Sequence, residues 1–184
     1  MKKISLLLGT ALMVLMMSSC GPEKEVVTTP TSTQPCSDCR STSDVFRYLG
    51  QHVASSDRQI QQARLMAANT ARAELASQAE AVIERVVDNY TSEYITNADS
   101  DFKQRIQDLA RTIVKQEVKG TMIICEGTMP GSTPGNTICY VCVELTGKSI
   151  MDALSEKISG DEQLRTDFEY EKFKKVLEEE MSKL

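Results

Sequence analysis

The sequence contains no tryptophan, and aromatic residues of all kinds make up only 5% of its 184 positions. Stacking platforms for bases or sugars need several exposed rings, so that mode of recognition is not expected. A single histidine, His52, excludes any site built on two or more imidazoles, and no Gly-x-Ser-x-Gly elbow exists to serve a His52-based triad. Basic excess is missing as well: a formal net charge of −5 and a pI near 5.1 argue against a nucleic-acid partner. The acidic residues are dispersed along helical faces, and no pair stands out for general acid–base work. No enzymatic activity, cofactor or metal site is therefore expected.

What is present begins at the first residue. Lys2 and Lys3 form a short positive region, and Ile4–Met17 is a nearly uninterrupted apolar stretch, too short for a membrane span but suited to a secretory signal. Met17-Ser18-Ser19-Cys20 resembles a bacterial lipobox, with Met where Leu is usual and the Cys20 thiol as the nucleophile for lipid attachment. The expected organisation is a lipoprotein signal peptide over 1–19, a lipid anchor and flexible stalk over 20–43, and a single α+β domain over 44–184. Removing 19 residues leaves 165, joined to a membrane through the lipid on Cys20. Residues 21–43 are rich in Pro, Thr and Ser, without apolar periodicity.

Past the stalk, Asp44–Ser55 alternates apolar and polar residues and reads as a strand. Asp57 to about Tyr94 lacks Gly and Pro and carries Ala63, Ala67, Ala71, Leu75, Ala79, Val82, Val86 and Tyr90 at helical steps. So much Ala on one stripe predicts a helix laid closely on a sheet. A second helix is expected to about Lys119, a hairpin from Thr121–Glu126 and Ile138–Leu145, a short helix over Lys148–Ile158, and a last helix from an Asp161 cap to Leu184. The fold class is α+β: a three-stranded antiparallel sheet packed by a long Ala-rich helix. C-terminal helices, or a partner subunit, are expected to cover part of the second sheet face, because Met122, Ile124, Ile138 and Tyr140 make that face apolar too.

Five cysteines remain beyond Cys20: Cys36, Cys39, Cys125, Cys139 and Cys142. An oxidising envelope compartment favours disulfides. Strand alternation sends Cys139 and Cys142 to opposite faces, which forbids a shared ion without a bulge. The register that aligns the core-like faces of the hairpin sets Cys125 opposite Cys139, a separation a disulfide can span. The rival is a local Cys36–Cys39 bridge.

A lipobox, a stalk, a strand ending in Leu49-Gly50 and then a helix stepping through Ala63-Arg64, Ala67-Ala68, Ala71-Arg72 and Glu74-Leu75 precede a Gly-led hairpin, Gly120 to Leu145. That order resembles the LPP-type lipoprotein family, small bacterial outer-membrane lipoproteins typified by a twenty-kilodalton surface antigen. The resemblance covers roughly Asp44 to Leu154. It implies strand, long helix, helix, hairpin and helix on a lipid anchor, and no catalytic residues. The expected function is a non-catalytic lipoprotein of the bacterial cell envelope, at the outer membrane, with a binding or scaffolding role toward an envelope protein or its own copy. The alternative is a thiol-redox or metal-binding periplasmic factor using Cys36 and Cys39.

Overall fold

Alternation from Phe46 onward produces the first strand, β1 (Val45–Ala54), in the computed structural model of the chain, which describes residues 34–95 and 100–184. The segment 1–19, Cys20, the stalk to residue 33 and the polar break at 96–99 lie outside the described residues. After a 3₁₀ turn at Asp57–Gln59 comes α1 (Ile60–Tyr94), 35 residues and on the order of 50 Å long. No side-chain cap forms at Ser56; instead the Gln59 side chain accepts from the Ser55 amide at 3.0 Å. Next are α2 (Ser100–Glu117), β2 (Met122–Pro130), β3 (Thr137–Thr146), α3 (Gly147–Ser159), α4 (Glu162–Asp167) and α5 (Tyr170–Met181). The described residues belong to one compact unit.

The class is α+β, with an antiparallel sheet in the order β1-β3-β2. β3 is central and has both neighbours as sequence-distant or hairpin partners: Phe46 faces Leu145 and Gly50 faces Val141 on one side, while Ile123 faces Val143 on the other. The inner face, formed by Phe46, Gly50, Cys139, Val141, Val143 and Leu145, is buried beneath α1. Small residues set how closely α1 approaches. A Cβ built on Gly50 would stand 2.0 Å from the Ala67 carbonyl oxygen and 2.8 Å from the Ala71 nitrogen, so only glycine fits there.

α1 is longer than the sheet it covers, since ten-residue strands span roughly 33 Å. Its C-terminal part therefore needs other partners, and α2 and α5 pack along it. Tyr90 is wholly buried, with ring centroids 5.8 Å from Phe168 and 5.3 Å from Phe173. The expected single helix from Asp161 to Leu184 is broken here. Asp161 does cap its start, accepting from the Leu164 amide at 3.1 Å, but Glu169 is extended and its amide donates to the Tyr90 hydroxyl at 2.7 Å. Phe168, half-buried, packs against Tyr90 at this break.

The C-terminal helices also do not lie where the apolar second face called for cover. α5 packs on α1 and α3, and the outer face of the sheet is crossed by the segment that precedes β1.

Candidate functional site

Residues 34–44 form a strap across the outer face, touching each strand in turn. At β1, the Ser41 hydroxyl accepts from the Arg47 amide at 3.0 Å and donates to the Arg47 carbonyl at 3.3 Å, which occupies both polar groups of one edge residue. The Thr42 amide donates to the Val45 carbonyl at 2.9 Å. At β3, Cys39 is bonded to Cys142, and at β2, Cys36 is bonded to Cys125, with Cα separations of 5.9 and 5.8 Å. Past Cys36, Pro35 rests on β2: a Cβ at Gly127 would come within 2.5 Å of the Pro35 Cβ. Beside the strap, Arg47 Nε donates to Glu144 Oε2 at 2.7 Å across the β1–β3 pair.

The spacing of the four bonded cysteines has a simple geometric origin. Cys125 and Cys142 are direct cross-strand partners on the outer face, so their Cα atoms stand ~4.5–5.5 Å apart. Cys36 and Cys39 are the ends of a tight turn, closed by the Cys39 amide donating to the Cys36 carbonyl at 3.0 Å, and turn ends lie within ~7 Å. Two matched spans allow one turn to bridge two neighbouring strands. Cys36 takes a left-handed conformation, φ 60°, at the first position of that turn.

The expected Cys125–Cys139 pairing is therefore corrected on both counts. Cys125 faces Cys142, while Cys139 faces Thr128 and His52 and is a free, wholly buried thiol. There are two causes: the register is shifted by two residues, with Ile123 facing Val143 and not Val141, and a bulge follows, with Cys125 facing Cys142, so β2 takes two steps where β3 takes one. Plain alternation from Ile123 would put Cys125 on the inner face; the extra residue, Ile124, turns it outward. The local Cys36–Cys39 bridge is corrected too, as each bonds to the hairpin instead. Opposite orientations of Cys139 and Cys142 are observed, as alternation requires.

Cys139 itself is embedded between β3 and α1, its Sγ 3.7 Å from the Ile60 carbonyl. Burial pushes the thiol pKa up, with Arg64 pulling the other way. That leaves it protonated and poorly nucleophilic at neutral pH. His52 is exposed and lines a shallow surface depression with Ser55, Gln59 and Gln62. Among the described residues no group of His, Cys, Asp or Glu is arranged to hold a metal ion.

A cavity of about 260 Å³ opens where the strap joins the domain, floored by Met151, Leu177 and Met181 and rimmed by Lys148 and Lys174. Both lysines are already engaged, Lys148 with Asp152 and Lys174 with Glu178, so neither is held ready for a ligand's anion. The other notable surface is the free edge of β2, where Met122, Ile123 and Ile124 stand consecutively at 65%, 46% and 41% exposure. Sequence reasoning had marked Met122 and Ile124 as apolar on the second face. It missed Cys142 as a bonded residue; the signal that could have found it is that Cys142, unlike Cys139, alternates onto the outer face of β3. No family model, curated protein or solved structure matches this chain.

Proposed function

We propose that the protein is a lipid-anchored, non-catalytic lipoprotein of the bacterial cell envelope whose α+β domain binds or scaffolds another envelope component. The observation that carries this reading is the pair of disulfides, Cys36–Cys125 and Cys39–Cys142, made by the segment that follows the Met17–Cys20 lipobox. Structural disulfides persist in oxidising compartments, which supports export of the chain. They also fasten the lipid-proximal segment covalently to the sheet, as suits a domain held for long periods on a membrane anchor. A chain carrying two or three acyl groups is stably anchored, unlike a singly acylated one.

Thiol or metal chemistry at Cys36 and Cys39 fits less well, because each sulfur is joined to a different strand and both bonds would have to break first. The likeness to the LPP-type family belongs to the same proposal and rests on the Ala-rich helix and the hairpin. The test is Cys20→Ala in cells. The variant should lose its acyl mass and leave the membrane fraction; a variant that stays membrane-bound after a high-salt wash would overturn the anchor.

A further inference from the structure

Four cysteines meet at one place on the outer face of the sheet, and the geometry there allows more than one pairing. Cys36 and Cys39 are bonded to Cys125 and Cys142. Yet Cys125 and Cys142 are also each other's cross-strand partners, ~4.5–5.5 Å apart at Cα, and Cys36 and Cys39 are the two ends of one turn, within ~7 Å. A disulfide accepts Cα separations of about 4.4–6.8 Å, so both alternative pairs are within reach without moving either strand. The third pairing, Cys36 with Cys142 and Cys39 with Cys125, is opposed by the direction of the strap. Pro35 lies on Gly127 of β2 and Ser41 is hydrogen-bonded to Arg47 of β1, so the turn runs from β2 toward β1 and does not reverse.

We propose that these four cysteines form a redox-neutral switch, in which an external thiolate converts Cys36–Cys125 and Cys39–Cys142 into Cys36–Cys39 and Cys125–Cys142 and so unfastens the strap from the sheet. Access sets the point of entry: Cys142 is wholly buried, whereas Cys36, Cys39 and Cys125 are each partly exposed. The thiolate attacks Cys36 Sγ; a mixed disulfide forms, and the electron pair of the broken bond leaves on Cys125. The Cys125 thiolate attacks its neighbour Cys142, closing the cross-strand bond and expelling Cys39 as a thiolate. Cys39 then attacks Cys36, closes the turn and returns the external thiolate. Three bonds form and three break, no protein sulfur ends reduced, and the thiol acts as a catalyst. Two features weaken the fastened state. Cys36 is left-handed, φ 60°, which its Cβ disfavours, and Pro35 is seated only because Gly127 has no side chain. Opening the strap uncovers the outer face of β3 at Cys142, beside Tyr140, the cross-strand partner of Gly127. Cys139, on the inner face, takes no part.

The test uses the full-length protein with Cys20→Ala and Cys139→Ala, which leaves the four strap cysteines as the only ones. Without added thiol, non-reducing peptide maps should show the two strap bonds alone. Substoichiometric reduced glutathione, under argon at mildly alkaline pH, should bring up the Cys36–Cys39 and Cys125–Cys142 peptides in equal amounts, with the intact mass unchanged and the far-UV circular dichroism retained. Gly127→Ala, whose methyl meets Pro35, should raise the ratio of opened to fastened protein by about tenfold, the order of effect expected of a small overpacking. Pro35→Gly removes the same contact from the strap side and leaves β2 untouched; it should raise the ratio severalfold, and it keeps the test decisive if Gly127→Ala does not fold. Three results would overturn the switch. Glutathione could yield only free thiols and stable mixed disulfides. The third pairing could appear as often as the opened one, which marks scrambling in the unfolded chain. Or the ratio could stay the same in both folded variants.

Discussion

Removing the disulfides one pair at a time should reveal that they are interlocked. Cys36–Cys125 closes a loop across a sequence separation of 89, and Cys39–Cys142 one of 103. On the chain-entropy relation either bond, acting alone on the unfolded chain, is worth about 4.6–4.7 kcal/mol. With one bond already present, however, the second closes only a short ring: the three steps from Cys36 to Cys39 and the seventeen from Cys125 to Cys142. A ring of about 20 residues contributes about 3.3 kcal/mol. Each single-pair variant should therefore lose about 3.3 kcal/mol, and the variant lacking both about 8 kcal/mol, which exceeds the two single losses together by about 1.3 kcal/mol. A total near 8 kcal/mol rivals the whole stability of an ordinary domain, about 5–15 kcal/mol.

Alanine is the right replacement, because Cys142 is wholly buried and a serine there would add an unsatisfied hydroxyl. All variants should carry Cys139→Ala, so that the free thiol cannot attack a disulfide during unfolding. Urea titration followed by circular dichroism is the assay. With a slope of about 2 kcal/mol/M, each single-pair variant should lose about 1.6 M of midpoint. Two outcomes would refute the reasoning: single-pair losses that differ from each other severalfold, or non-reducing peptide maps that join Cys36 to Cys39.

Three further outcomes are expected. Gly50→Ala should lower the thermal midpoint by about 5–10 °C, since the new methyl meets the Ala67 backbone and cannot be relieved by a side-chain rotation; an unchanged midpoint would mean that α1 is not seated where described. Glu180 is almost wholly buried and ion-paired with Lys183 and Arg85, which hold its carboxyl below the usual range against the opposing effect of burial. Its stabilisation is complete above the unfolded value, about 4.3, and disappears as pH falls through the lower folded value, so the cost of Glu180→Gln should shrink between pH 7 and pH 3; an equal cost at both pH values, in paired denaturation curves, would contradict this. Finally, iodoacetamide at pH 8 should label Cys139 only as fast as the protein opens, and rapid stoichiometric labelling of the native state would show the thiol to be accessible.

Local periodicity carried the strand β1, the helix α1 and the two faces of β3, because each depends on side chains only a few residues apart. Gly127 shows where that reasoning stops. In a run of Gly and Pro it reads as loop, yet it is a strand residue kept small by Pro35, 92 positions earlier. The break before α5 has the same character, since its cause is the Tyr90 hydroxyl 79 positions away. The cysteine pairing depended on which way Cys125 points, and that is decided by a one-residue bulge with no local marker in Met122–Cys125. Sequence spacing thus supplied the candidate cysteines, and tertiary geometry chose among them.

The strap also alters how the domain bears load. In a protein tethered by its N-terminal side, a pull would ordinarily act first at β1 and peel the fold from its start. Here tension entering at Cys36 passes through sulfur into Cys125, in the first half of β2. Residues 37 to 124, which include β1, α1 and α2, lie inside the loop that this bond closes, so a pull resisted beyond Cys125 has a covalent path around them. Cys39–Cys142 stands behind it as a second clasp, on the central strand. A pull from the N-terminal side toward a point beyond Cys125 is resisted by bonds, and the long helix and its core are spared.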